Sequence, residues 1–392
     1  MRRTRMLWES FVMRFEEILS RYRKQRLTAS EAGELLGMSE RHFRRLRGRY
    51  EEEGAAGLAD RRLGRASPRR VPAATVSAMC ALYRERYRGF NAKHFHEHLQ
   101  RHHDYKLSYS FTRLALQSAG EIKKTKRRGG HRQRRPRRPC VGMMVHQDGS
   151  RHEWLPGRTI DLIVTMDDAT NEIYSAFLVE EEGTMSSFQG LGEVIAQHGL
   201  FCSLYTDRGG HYFYTPKAGE PVDKDQLTQV GRALKQLGIE HIAAYSPQAR
   251  GRSERLFATL QDRLPKELLL AGITDLHAAN RFIAEVYLPI HNARFKLKPE
   301  QPDSAFVRDR AGAARDILCL QEERVVGNDN TVRYHNLILQ LPPSPLRPHF
   351  VKLKVRVHEY PDQTLAVFHG PRCLARYAPD GQWLERATQQ AA

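Results

Sequence analysis

Residues 158–179 read RTIDLIVTMDDATNEIYSAFLV, two apolar runs either side of a turn. Arg158–Met166 and Ile173–Val179 are rich in β-branched and aromatic residues, and Asp167-Asp168-Ala169-Thr170-Asn171 supplies the turn of a hairpin. Upstream, residues 139–148 (PCVGMMVHQD) read as a short buried strand ending in an acid, Asp148. Downstream, 184–198 suit a helix closed by Gly199, and 200–207 (LFCSLYTD) a fourth strand, again ending in an acid, Asp207. A helix over 225–237, a fifth strand over 239–244 and a helix from about Arg252 to Leu270 follow. Three strands followed by alternating helix and strand predict an α/β core with a mixed five-stranded sheet.

The segment before this core has helical period. Residues 7–24 place Leu7, Phe11, Phe15, Ile18, Leu19 and Tyr22 on one face. Over 27–58, Ser30 can cap a short helix through Leu36, and Gly37-Met38 makes a tight turn. Ser39 then caps a second helix with Phe43, Leu46 and Tyr50 inward. Helix, glycine turn, helix is the all-α helix-turn-helix pattern. It leaves Glu40, Arg41, Arg44, Arg45 and Arg47 outside, and arginine suits both bidentate guanine contacts and phosphate. A second helical unit spans about Pro72 to Ala119 and could present Arg113.

Charge narrows the partners. The 392 residues carry a formal +18, and ten Lys/Arg fall in KKTKRRGGHRQRRPRR, 123–138. That block, including Lys123, Lys124, Lys126, Arg127 and Arg128, suits a polyanion, because neutralised phosphates release counterions. No stretch approaches the roughly 18 apolar residues of a membrane span. The N-terminus lacks the long apolar region of a signal peptide, so a cytoplasmic protein is expected, bacterial and associated with the nucleoid. Five scattered cysteines without a CxxC pair read as reduced thiols. His94, His96, His98, His102 and His103 have no cysteine partner at zinc-finger spacing and read as a polar helix face.

Three acids carry the chemistry. Asp148 and Asp207 each end an apolar strand, and Glu254 opens the helix after the fifth strand, with spacings of 59 and 47 residues. Converging carboxylates repel unless a divalent cation neutralises them, and Mg²⁺ prefers such oxygen ligands. Such a site can activate a water or 3′-hydroxyl against a phosphodiester. Asp207 sits in YTDRGGHY, whose glycines let backbone approach a phosphate, and Glu254 sits among Arg250, Arg252 and Arg255, which would face nucleic acid, with Arg250 and Arg252 as candidate DNA contacts.

The set HQDGSRHEWL, LIVTMDDATNEI, YTDRGGHYF and YSPQARGRSERLFATLQDRL closely resembles the integrase-like DDE transposases of bacterial insertion sequences, particularly the ISNCY group. The resemblance covers about residues 20–300 and implies a ribonuclease-H-like core. It carries catalytic and metal-binding roles onto Asp148, Asp207 and Glu254, with Mg²⁺ as cofactor and Mn²⁺ able to substitute. Three departures stand out. The second gap is longer than in many integrases, with the surplus assigned to a loop over 215–226. The Asn-Gly-x-x-Glu frequent there is Arg250-Gly251-Arg252-Ser253-Glu254, and the integrase lysine one turn on is Ala258.

The expected organisation is a helix-turn-helix domain over 1–66, a second helical DNA-binding unit over 67–121, a basic linker over 122–139 and the catalytic core over 140–300. A helical connector and small β-barrel over 301–392 complete it, since two late stretches alternate with period two. There Lys352, Lys354 and Arg356 would share one strand face. The expected partners are double-stranded DNA, as terminal repeats and target, and further copies of the chain; no membrane partner is expected. A catalytically inactive DNA-binding regulator would be marked by a missing acid, and none of the three is missing. A nuclease of the same fold has less need of a major-groove reader.

Overall fold

The structure, a computed structural model, describes residues 2–60, 70–124, 136–216, 222–223, 225–245, 247–309, 312–343 and 347–384; of 2–6 and 247–250 it describes the backbone alone. The chain forms two compact units, Met1–Met79 and Cys80–Ala392.

In the first unit, α1 (Arg2–Arg23), α2 (Ala29–Leu35) and α3 (Glu40–Glu53) close over Val12, Phe15, Ile18, Leu19, Ala32, Phe43 and Leu46. The helix-turn-helix is as expected, with Gly37 at φ +67° in the turn and Ser39 accepting from the His42 amide. The start of α2 differs. Thr28, not Ser30, caps it, because Thr28-x-x-Glu31 forms a reciprocal capping box. Leu7, expected inward, is 66% exposed, and the buried stripe of α1 begins at Val12.

The second unit begins within α4 (Ala73–Arg86), followed by α5 (Ala92–His102) and α6 (Tyr109–Ser118). Asn91 and Ser108 cap the last two. The histidines of α5 do not line a polar face: His94, His96 and His98 are buried.

Strands β1 (Val145–Leu155), β2 (Arg158–Asp167), β3 (Ile173–Val179), β4 (Ser203–Thr206) and β5 (Glu240–Ala243) form one sheet in the order β3-β2-β1-β4-β5. The first three are an antiparallel meander; β4 and β5 run parallel to β1 and to each other. This is the mixed five-stranded sheet the sequence predicts. Side chains alternate across it. Ile160, Leu162, Val164 and Met166 of β2 point to one face, where Phe257, Leu260, Leu264 and Leu268 of α9 (Pro247–Leu270) cover them. On the other face Phe188, Leu191, Val194 and Ile195 of α7 (Thr184–His198) and Val230, Ala233 and Leu234 of α8 (Gln229–Leu237) pack over Val145 and Leu204. The helices α10 (Leu276–Phe282) and α11 (Leu288–Phe295) extend the α9 layer.

At the C-terminal end, β6 (Leu320–Val325), β7 (Thr331–Tyr334), β8 (Leu337–Gln340), β9 (Lys354–Glu359), β10 (Leu365–His369), β11 (Arg372–Tyr377) and β12 (Trp383–Leu384) show the expected alternation. The expected closed barrel is not formed. Among the described residues the strands make an open sheet, β12-β11-β10-β9-β6, with β6 and β12 as its two edges. The β7–β8 hairpin packs Val332, Tyr334 and Leu339 against Val355, Val357, Leu365 and Val367. Packing of this hairpin, not a continuous ring of strand pairing, completes the core. Lys354 and Arg356 are exposed, but Lys354 pairs with Glu323 at 2.7 Å and Arg356 donates to Gln321 at 3.3 Å; Lys352 precedes the strand at φ +62°.

Candidate active site

Asp148 does not end its strand. It lies within β1 opposite Val164, and directly opposed residues of an antiparallel pair share a face. Val164 belongs to the layer packed by α9, so Asp148 points to that side. The β1–β4 pairing sets Val145 beside Leu204 and His146 beside Tyr205. Continued along both chains, this register brings Asp207, one residue beyond β4, level with Asp148. The His146 and Tyr205 rings, 5.0 Å apart, mark the shared face.

Glu254 is exposed and lies two turns inside α9, not in its first turn, because the helix begins at Pro247. Seven residues on, Gln261 donates to Ser150 Oγ at 3.0 Å. A spacing of seven is nearly two full turns, so Glu254 and Gln261 lie on one stripe, the edge of α9 that faces β1. The carboxylates of Asp148, Asp207 and Glu254 are not drawn into one tight cluster. Among the described residues, His94, His98 and Glu267 are the single set of three ligand atoms mutually within 4.8 Å.

Two further side chains stand beside the aspartates. Glu182, in the loop between β3 and α7, lies directly over Gly149, where a Cβ would collide with its carboxylate. Its Oε1 is 3.6 Å from His211 Nε2. Burial pushes the His211 imidazole down, and Asp207 opposes that shift. The fully buried Tyr212 donates to Gln147 Oε1 at 3.1 Å. Burial raises its phenol well above the ordinary value, and the negative charges of Glu182, Asp148 and Asp207 raise it further. Three carboxylates thus act on one buried hydroxyl. Neither Glu182 nor His211 stood out in the sequence, where Glu182 is the last of three consecutive glutamates before a glycine.

A second acid pair is structural. Asp167 accepts from the Gly142 and Thr170 amides at 3.0 and 2.8 Å, locking the β2–β3 turn. Asp168 is fully buried; burial would raise its carboxyl, but His146 at 2.7 Å, the Arg138 amide and Arg252 hold it well below the usual range.

That joint also settles Arg252, which turns inward to Asp168 and to the Pro136 carbonyl at 3.0 Å. Of the other arginines expected to contact DNA, Arg47 donates to Tyr22 Oη at 2.9 Å and lies near Glu51, and Arg44 pairs with Glu40. Arg41 and Arg45 are exposed, as are Lys123 and Lys124. Lys126, Arg127, Arg128 and the Arg250 side chain lie outside the described residues. No helix among the described residues is long and apolar enough to cross a membrane.

Residues 16–67 match the family model described as a helix-turn-helix domain. Among solved structures, the chain is similar to the HTLV-2 integrase catalytic core domain in complex with magnesium (dimeric form), at 16% identity and TM-score 0.29, covering 38% of this chain and 89% of that one. The transposase for insertion sequence IS1202 of Streptococcus pneumoniae is 34% identical over 203 residues, 52% of this chain and 43% of that protein. The transposase y4bF of Sinorhizobium fredii is 32% identical over 358 residues, 90% of this chain and 77% of that protein. With a relative matched this closely over most of both lengths, the chain belongs to the transposase family.

Proposed function

We propose that this transposase binds the ends of its element through the helix-turn-helix and cuts and joins DNA at Asp148, Asp207 and Glu254 in a ribonuclease-H-like core. The observation that carries the reading is the register of β1 and β4, which sets two carboxylates level on the sheet face covered by the helix bearing the third. The donor set fits a hard divalent ion. All three groups offer carboxylate oxygen, the donor that such an ion prefers.

Asp148, Asp207 and Glu254 would hold Mg²⁺, with Mn²⁺ able to replace it. When bound, the ion supplies Lewis-acid polarisation of the phosphodiester and a lowered pKa for the attacking hydroxyl. The chain's own residues do the rest. Gly209 and Gly210 leave space for backbone to approach a phosphate, and the Gly209 amide already donates to Asp207 Oδ1 at 2.8 Å, fixing that carboxylate. The exposed Arg41 and Arg45 are the candidates for base and phosphate contact in the recognition helix. Lys123, Lys124 and the basic run after them add affinity without sequence preference. The working division is helix-turn-helix over 1–66, second helical unit over 67–121, linker over 122–139 and catalytic core over 140–300.

Asp207→Asn tests the assignment. With purified protein, Mg²⁺ and the DNA ends flanking its own gene, cleavage and strand transfer should be abolished while end binding stays within about twofold, since a metal ligand acts on the chemical step. Retained cleavage in this variant would remove Asp207 from the site.

A further inference from the structure

Helix α5 meets α9 through a cluster that the transposition chemistry does not use. His94 and His98 are one helical turn apart, and their Nε2 atoms lie 2.6 and 2.9 Å from the same oxygen, Glu267 Oε1 on α9. Both imidazoles are nearly fully buried, and Glu267 is 18% exposed. Neighbouring acids have cations of their own: Glu97 takes Arg263 at 2.8 Å and Arg294 at 2.7 Å, and Asp262 takes Lys266 at 2.5 Å. Glu267 takes the two imidazoles. Among the described residues the Nδ1 atoms of both histidines are buried without a hydrogen-bond partner, so hydrogen bonding holds each ring at Nε2 alone.

We propose that His94, His98 and Glu267 form a binding site for a first-row transition-metal ion of the zinc type, tying α5 to α9. Two imidazole nitrogens at i and i+4 with a carboxylate from a second helix make an N₂O donor set, which suits Zn²⁺ and not Mg²⁺. All three ligand atoms lie within 4.8 Å of one another. At Zn–ligand distances of about 2.0–2.1 Å, tetrahedral donors stand roughly 3.3 Å apart, so the cluster must open by about half an ångström, a small rotamer adjustment. Burial lowers the His94 imidazole, favouring the neutral form that a metal requires. The exposed His102 stands beside the cluster, its ring 5.4 Å from that of His98. Glu267 lies thirteen residues beyond Glu254 on the same helix, about 20 Å along its axis, so the ion would clamp α9 at its far end.

Full-length protein carrying Asp148→Asn and Asp207→Asn, so that the acidic site does not compete, is freed of metal and titrated with Zn²⁺ against a chromophoric chelator. One ion per chain should bind, with a rise of several degrees in Tm. Added His98→Gln or Glu267→Gln should weaken binding at least a hundredfold, and acidification below pH about 6 should release the ion. Equal affinity with and without these changes, or no binding at all, overturns the site. Should a variant fail to fold, Co²⁺ added to the otherwise intact protein reads the site directly. Intense visible bands of a four-coordinate ion support it, and the weak spectrum of six-coordinate Co²⁺ overturns it.

Discussion

Glu182 adds a carboxylate to an end of the sheet that already holds Asp148 and Asp207. It sits over Gly149, the neighbour of Asp148 in β1, and beside His211, without occupying a strand, and only a residue without Cβ at 149 leaves it room. Removing its charge should weaken metal retention more than it changes the reacting geometry. Glu182→Gln is expected to raise the Mg²⁺ concentration for half-maximal cleavage several-fold and to lower the rate at saturating Mg²⁺ by at most about tenfold, roughly 1.4 kcal/mol of barrier. An unchanged Mg²⁺ dependence would leave Glu182 a loop residue with no part in the site. Asp207→Asn, by contrast, should not be rescued at any Mg²⁺ concentration, so the two substitutions separate a ligand from a neighbour.

Helix α9 shows what one element can reveal in sequence and what it withholds. Its apolar period marks it as a helix against the sheet, and β2 and β3 are legible as apolar, β-branched-rich runs on either side of an Asx turn at Asp167. The outer half of β1, Gly149–Leu155, was not, because GSRHEWL lacks an apolar alternation and is held by pairing with β2. The joints of Arg252 with Asp168 and of His94 and His98 with Glu267 are hidden for a related reason: the partners lie far away in sequence. The C-terminal strands were visible, but an open sheet and a barrel share the same alternation, and only pairing at the edges distinguishes them. Two predictions follow from these elements. Arg252→Ala leaves the buried Asp168 with less compensation and should cost about 3 kcal/mol in denaturant unfolding, as for other broken buried pairs; a loss under about 0.5 kcal/mol would show that His146 suffices. The second concerns His358 of β9, buried, stacked on Phe368 at 4.2 Å and pushed down to about 4 by burial. The unfolded chain takes up its proton near pH 6.5, so the stability tied to the neutral ring is whole above that pH and falls as pH drops toward 4. Thermal melts between pH 7 and 4 should show a shallower decline for His358→Gln than for the parent; parallel curves would assign the acid sensitivity to other groups.

For the whole molecule, charge governs assembly. A chain with formal charge +18 repels its own copies in free solution, whereas moving a DNA element requires two ends held together and hence more than one active site. DNA resolves the conflict, because phosphates cancel the repulsion and release counterions as they do so. Assembly should therefore depend on end DNA and on salt. The first half of α1 offers apolar contact surface, since Leu7 and Met13 stay 66% and 64% exposed outside the buried stripe that begins at Val12. Light scattering at moderate salt should find monomer without DNA and a dimer or larger complex when two element ends are added. Leu7→Ser with Met13→Ser should reduce that assembly while leaving binding to a single end intact. Raising the salt should dissolve the complex through loss of DNA binding first. A strictly monomeric protein–DNA complex that still joins two ends in concert would refute this account, and stable dimers formed without DNA at low salt would show that apolar contact outweighs the charge.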